Sequence, residues 1–332
     1  MNLFKRHNRP VLQPREDIPW ASGAVFNPGV WYEDGLVHLA YRAVPSGYTT
    51  VMVVEEGDEE PRRGFIDYIS SIGYAKSTDG THFDWETEPL ISPGESFDQF
   101  GAEDPRISKI DDRYLITYTA LSQPAFGGPE DGVRIGLAST RDFKTVTRHG
   151  VVGPGLRDKD AVIFPATFDG RVAMLHRIFP DIQIAWFDSI DQLCNPPADY
   201  WSKYLAHLDD YVVMRPEHPW EAKKIGMGPT PIETADGWLL IYHGVDQKHV
   251  YRMGLALLDL EDPLRVIART KHPVLEPEAD YELFGDVDNV VFPEGAAVID
   301  GVLHVYYGAA DKVIGLATAK LTDVLEAVKS NT

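Results

Sequence analysis

Short apolar runs broken by turn residues recur along the whole chain, and five of them follow one template. A turn residue is followed by an apolar run and, six positions on, by an aromatic or imidazole: Gly35 to Tyr41, Asp112 to Tyr118, Gly170 to His176, Gly237 to His243 and Gly301 to Tyr307. Runs such as Leu36-Val37-His38-Leu39-Ala40-Tyr41 are too short for helices and rich in residues that suit a pleated surface, so each predicts a buried strand. The residue after each aromatic varies, as Arg42, Thr119, Arg177, Gly244 and Gly308. Function is to be sought at these unrepeated ends of a repeated scaffold.

A second phrase follows the first: Ile72-Gly73-Tyr74-Ala75, Ile135-Gly136-Leu137-Ala138, Met253-Gly254-Leu255-Ala256 and Ile314-Gly315-Leu316-Ala317, with Ile182-Gln183-Ile184-Ala185 as a degenerate copy. From position 41 the strand-end aromatics fall at 118, 176, 243 and 307, at intervals of 77, 58, 67 and 64 residues. Each interval suits one four-stranded sheet with its loops. Radial repetition of such sheets predicts an all-β, five-bladed β-propeller around a central channel. A two-sheet sandwich is the alternative, but it has no reason to repeat both phrases in fixed order. Helix-compatible text interrupts the rhythm at about 189–208 and at the C-terminal 321–329. The latter places Leu321, Val324, Leu325 and Val328 at helical spacing.

Composition fits a single propeller domain over 1–332, since no Pro/Ser-rich linker divides the repeats, and the 28 Gly and 24 Pro suit many turns. The first ten residues carry basic groups without an apolar stretch, so neither a signal peptide nor a membrane span is expected. A lone Cys194 rules out an intramolecular disulfide and fits a reducing, cytoplasmic compartment. The net charge of -20 excludes a nucleic-acid partner, which needs a basic track to release counterions.

Against that acidic background, clustered cations are informative. Gly101-Ala102-Glu103-Asp104-Pro105-Arg106 precedes the second repeat strand, and Pro105 cannot continue a ladder, so Asp104 is expected at a strand start facing the channel or a rim. Glu103, Asp104 and Arg106 could form a plain surface ion pair. Alternatively, a carboxylate held in a closed channel could serve as general acid. An inverting glycosidase needs a second carboxylate to activate water. What accompanies Asp104 is cationic instead: Lys159-Asp160, His176-Arg177, Lys223-Lys224 and His243, at matching ends of adjacent repeats. Such a cluster suits a compact oxyanion, with phosphate the natural candidate and Arg able to offer a bidentate fork.

The set Phe26-Asn27-Pro28-Gly29, Tyr41-Arg42, Gly101 to Arg106, Lys159-Asp160, His176-Arg177, Lys224-Ile225-Gly226, Gly237 to Gly244 and Tyr307-Gly308-Ala309-Ala310-Asp311 resembles glycoside hydrolase family 130, the β-mannoside phosphorylases. The likeness runs in order along nearly the whole chain. It implies a five-bladed propeller that splits β-mannosidic bonds with inorganic phosphate, with inversion, giving α-mannose 1-phosphate. It also implies Asp104 as the general acid. In some members the proton passes through the 3-hydroxyl of the bound mannose. The mannose-binding set falls on Asn27, Arg42 and Asp311, with Glu103 and Arg106 flanking Asp104. The phosphate set falls on Arg177, Lys224 and His243, and on Lys159, where relatives often have arginine. Lysine there keeps the charge and loses the fork.

The resemblance implies no metal or organic cofactor, phosphate being a co-substrate, and a small carbohydrate partner, with a homo-oligomer compatible. The rival chemistry within the family is an inverting β-mannosidase with acids in place of the phosphate cations, and Lys224 and His243 are the discriminating positions. A carbohydrate-binding propeller without chemistry is the other alternative. The linkage stays open between β-1,4 and β-1,2, as does the acceptor among glucose, N-acetylglucosamine and mannose. The segments Ser46 to Ser70, with Glu55 to Glu60 in it, and Leu121 to Asp131, with Gly127-Gly128-Pro129, are the expected rim.

Overall fold

The computed structural model describes residues 3–54, 61–124 and 132–330. It contains five antiparallel sheets in the order of the repeats, and the first strand of each faces the central channel. Blade one comprises Ala24–Glu33, Leu36–Val44, Ser71–Ser77 and Asp84–Trp85; blade two, Gly101–Ile110, Arg113–Leu121, Val133–Thr140 and Val146–Val151. Blade three comprises Lys159–Phe168, Arg171–Arg177, Ile182–Phe187 and Val212–Met214; blade four, Lys224–Met227 with Ile232–Thr234, then Gly237–Val245, Tyr251–Leu258 and Val266–Arg269. Blade five comprises Val291–Ile299, Val302–Ala309 and Val313–Lys320. The expected helical text forms Ile190–Cys194, Tyr200–Ala206 and Leu321–Ser330, and a further short helix spans Asp280–Leu283.

The two repeated phrases are the second and third strands of each blade, and their pairing explains the glycines. Tyr41 lies opposite Gly73, Tyr118 opposite Gly136 and Tyr307 opposite Gly315. A Cβ on any of the three glycines would stand within 2.4 Å of the facing ring. In blade three the opposing pair is His176 and Gln183, and the smaller imidazole leaves room for a side chain.

Blade four corrects the repeat template. There Tyr242, not His243, lies opposite the glycine, Gly254. The two-residue turn before this strand is Ala235-Asp236, as shown by pairing of Thr234 with Gly237, whereas the turn in blade one is Asp34-Gly35. Gly237 is therefore already in the strand, and counting from it runs one residue late. Because side chains alternate faces along a strand, the equivalent of Arg42, Thr119, Arg177 and Gly308 in blade four is His243 rather than Gly244. The five variable ends all lie on one face at one height.

The inner strands carry a second correction. Gly101–Ile110 runs through Pro105 without ending, because the register shifts between Glu103 and Arg106 and puts Asp104 and Pro105 in a bulge. Asp104 thus sits inside the strand, with φ +50°, a conformation that Asp and Asn tolerate better than most residues. Matching shifts occur at Asn27, at Asp160 and between Pro293 and Gly295. Proline is accepted at such points because the ladder hydrogen bond is already lost there.

Ring closure is the feature the repeats did not disclose. Lys5–Arg6 pairs with Val313–Lys320 as the outer strand of blade five, so the two ends of the chain share one sheet. Phe4 is buried in the core shared by blades four and five, and Arg6 pairs with the fully buried Glu282 at 2.9 Å. Phe4→Ala is expected to lower the unfolding free energy by about 3 kcal/mol, read by urea denaturation. A loss below roughly 1 kcal/mol would show that closure contributes little.

Candidate active site

The bulges at Asn27 and Asp104 aim polar side chains into one cavity of ≈ 810 Å³ at the channel mouth. Asp104 Oδ1 accepts hydrogen bonds from Asn27 Nδ2 at 2.9 Å and from an Arg42 terminal nitrogen at 3.1 Å. Its Oδ2 lies 3.4 Å from Lys159 Nζ. The second Arg42 terminal nitrogen donates to Glu103 Oε1 at 2.6 Å, and Nε donates to Ser70 Oγ at 2.8 Å. The guanidinium also lies over the rings of Phe26 and Tyr68. Asn27 has room to reach Asp104 because its neighbour in the next blade is Gly308, where a Cβ would overlap the amide oxygen at 1.8 Å.

Of the residues predicted for the site, Asn27, Arg42, Glu103, Asp104, Lys159, Lys224 and Asp311 line this cavity. Arg177 and His243 lie just beneath it and are almost wholly buried. Asp160, between them, is 2.7 Å from Arg177 Nε and 3.6 Å from His243 Nε2. Two expectations change. Arg106 does not line the cavity: it is buried below the floor, donating to the carbonyl oxygens of Met227 at 2.7 Å and Gly228 at 2.8 Å, and pairing with Glu294 at 3.0 Å. His176 turns away from the cation cluster. Its Nδ1 meets Asp158 at 2.7 Å and its Nε2 meets the Tyr204 hydroxyl at 2.8 Å, both buried.

The carboxylates are more numerous than one acid facing a ring of cations, and they are tuned apart. Burial works to raise Asp104, but Arg42, Lys159 and the Asn27 hydrogen bond prevail and hold it down at about 2. Burial raises Asp311 to about 7, with the charge of Asp104 adding to it against Arg42. Glu103 is raised by burial despite Arg42. On the cation side, burial and then the repulsion of Arg177 and Lys159 push Lys224 well below the usual ammonium range. Burial likewise lowers His243, outweighing the attraction of Asp160. Among the described residues, no group of three or more His, Cys, Asp or Glu could hold a metal ion.

The rim is partly where the loops were expected. Thr49–Val53 pairs with Arg62–Ile66 as a hairpin beside the cavity. From it Arg63 crosses to the segment that leads into blade five, 2.6 Å from Asp288 and donating to the Gly285 carbonyl at 2.8 Å. Leu121 lines the cavity, while Glu55 to Glu60 and residues 125–131, with Gly127-Gly128-Pro129, lie outside the described residues. Ser70, Tyr68, Asp160 and Glu294 went unassigned in the sequence. Asn27-Pro28, Asp104-Pro105, Gly228-Pro229 and Pro293-Glu294, once per inner strand in four blades, are the signal that could have marked the level of the bulges.

The sequence profile of glycoside hydrolase family 130, described as β-1,4-mannooligosaccharide phosphorylase, matches residues 5–330. The chain belongs to glycoside hydrolase family 130. Within the family it is 40% identical over 325 residues to a 1,2-β-oligomannan phosphorylase of Thermoanaerobacter sp. strain X514, covering 98% of this chain and 99% of that one. A β-1,2-mannobiose phosphorylase of the same organism is 41% identical over 316 residues, covering 95% and 96%. The solved family 130 structure of β-1,2-mannobiose phosphorylase from Listeria innocua, in complex with β-1,2-mannobiose, superposes with a TM-score of 0.79 at 29% identity, covering 99% of this chain and 100% of that one.

The raised Asp311 gives this family 130 site a signature in stability. Its folded value of about 7 lies above the ordinary 3.8, so between these limits the folded chain keeps a proton that the unfolded chain has lost. Stability therefore falls as pH rises through that window. Asp311→Asn is expected to raise the thermal midpoint by several degrees at pH 8 and barely at pH 4. Equal shifts at the two pH values in a thermal melt would contradict this assignment.

Proposed function

We propose that this chain is an inverting phosphorylase of β-1,2-linked mannosides, releasing α-mannose 1-phosphate. The observation that carries phosphorolysis is the meeting of Lys159, Arg177, Lys224 and His243 beside Asp104, contributed by two adjacent blades. Carboxylates do not separate this chemistry from hydrolysis, since Glu103 and Asp311 also line the cavity. The cations do, because a water nucleophile needs a base and has no use for four basic groups. The β-1,2 linkage is supported by the relatives at 40 and 41% identity, against the β-1,4 wording of the family description.

Phosphate needs no protein base because it arrives anionic. The cations hold it in line with the bond to be broken while the oxygen that leaves is protonated. Asp104 is the general acid in this reading, with Asn27, Arg42 and Asp311 on the mannose. With its carboxyl near 2 in the open cavity, Asp104 has to gain its proton as substrates bind. Phosphate beside Lys159 offsets the charge that holds the carboxyl down, and sugar replaces water around it; both raise its pKa. No metal or organic cofactor enters this scheme. A charged sugar phosphate is retained by a bilayer, which suits a cytoplasmic enzyme.

Incubation with β-1,2- and β-1,4-mannobiose, with and without phosphate, tests the reading. Turnover of the β-1,2 sugar only with phosphate is expected, and phosphate-independent mannose release would replace it with hydrolysis. Asp104→Asn is expected to lower kcat roughly 100-fold or more with the fold retained by circular dichroism. Unchanged turnover in that variant would remove Asp104 from the chemistry. Because Lys224 and His243 are held toward their neutral forms until an anion joins them, phosphate binding is expected to take up protons. Titration calorimetry in buffers of different ionisation enthalpy should show that uptake, with affinity falling as pH rises.

A further inference from the structure

Asp160 is a fully buried acid in the middle of basic groups, and its surroundings are ionic rather than hydrogen-bonded. Neither of its oxygens has a hydrogen-bond partner among the described residues. Instead Oδ2 lies 2.7 Å from Arg177 Nε and 3.6 Å from His243 Nε2, and Oδ1 lies 3.7 Å from an Arg106 terminal nitrogen. The backbone holds it there at a cost: φ is +57°, in a bulge between Lys159 and Val162. Blade four makes room for it. A Cβ on Gly226 would stand 2.4 Å from Asp160 Oδ2 and 2.5 Å from the His243 ring.

We propose that Asp160 is a positioning residue for phosphate, fixing Arg177 and His243 so that both present their remaining nitrogens to the oxyanion. The inference rests on the reading of this site as phosphate-binding. With Asp160 against Nε, the two terminal nitrogens of Arg177 form the end of the guanidinium left to fork onto an anion. With Asp160 at Nε2, the other ring nitrogen of His243, Nδ1, is buried without a hydrogen-bond partner in the described structure. The groups that face Asp160 are Arg106 from blade two, Lys159 and Arg177 from its own blade, His243 and Lys224 from blade four, and the acid Glu294 from blade five. Its charge favours the protonated forms of Lys224 and His243, which phosphate requires. The carboxylate thus keeps its neighbours both aimed and chargeable.

Steady-state kinetics of Asp160→Asn with inorganic phosphate and a β-mannobiose test this. The expected result is a phosphate KM raised at least about tenfold with the mannoside KM within about twofold of the parent's. The loss of phosphate affinity with rising pH should begin at lower pH in the variant, which a merely structural role would not produce. A phosphate KM that is unchanged or lowered, equal losses for both substrates, or an unmoved pH profile would each overturn the proposal. If Asp160→Asn does not fold, Gly226→Ala keeps the charge and displaces it from His243; it must show the same phosphate-selective loss, and equal losses for both substrates would overturn the proposal. If the parent protein itself neither binds nor uses phosphate, the phosphorylase reading fails and this inference falls with it. If the parent uses phosphate and the variant matches it, only the inference fails.

Discussion

A guanidinium sealed from water must be met on every side by protein, and the chain meets Arg106 from three other blades. Arg106 issues from blade two, bonds the carbonyls of Met227 and Gly228 in blade four, pairs with Glu294 in blade five and lies near Asp160 in blade three. A lysine could not do this, because it lacks the planar spread of donors. The floor of the channel is therefore a charged keystone rather than an apolar plug. Its position fixes where the bulges of neighbouring blades can stand, and so where Asp104 opens into the cavity above and Asp160 lies beneath it. Removing one member would leave charge unmatched in a dry place, which costs more than the pair contributes when intact.

The same economy of buried charge divides the labour of the acids. Asp104 has a guanidinium, an amide and an ammonium on it and stays ionised in the open cavity, whereas burial raises Asp311 and, despite Arg106, Glu294, so that both hold protons more tightly. Nothing intrinsic to the residues distinguishes them. The difference lies in which blade delivers a cation, and Arg42 gives both its terminal nitrogens to the Glu103-Asp104 side.

The architecture was legible in the sequence because the periodic strands carry it directly: a Tyr needs a glycine opposite, so the two phrases repeat together. The site was legible to the extent that its residues stand at strand ends. Reading failed where the backbone departs from regularity. Asp104 looked like a strand start because a proline follows it, yet the bulge absorbs that proline. Arg106 looked like a partner for sugar because it adjoins Asp104, yet the bulge sends the two side chains to opposite sides of the floor. His243 was reached by a misregistered count, since the turn in blade four begins one residue earlier than counted, and the fold buries it beside Asp160. Asp160 was passed over because an acid beside a lysine is ordinary text, and only the packing of blade four against blade three surrounds it with cations.

Closing blade five with Lys5–Arg6 has a consequence for biosynthesis. Lys5–Arg6 leaves the ribosome well before its partner, Val313–Lys320, and must wait for it. A nascent chain can complete blades one to four in turn, but the ring stays open until blade five has emerged. Until then the flanks of the first and fourth blades stand exposed, and the channel floor lacks Glu294. Assembly of the pocket is thus a late event, timed by the arrival of blade five rather than completed blade by blade.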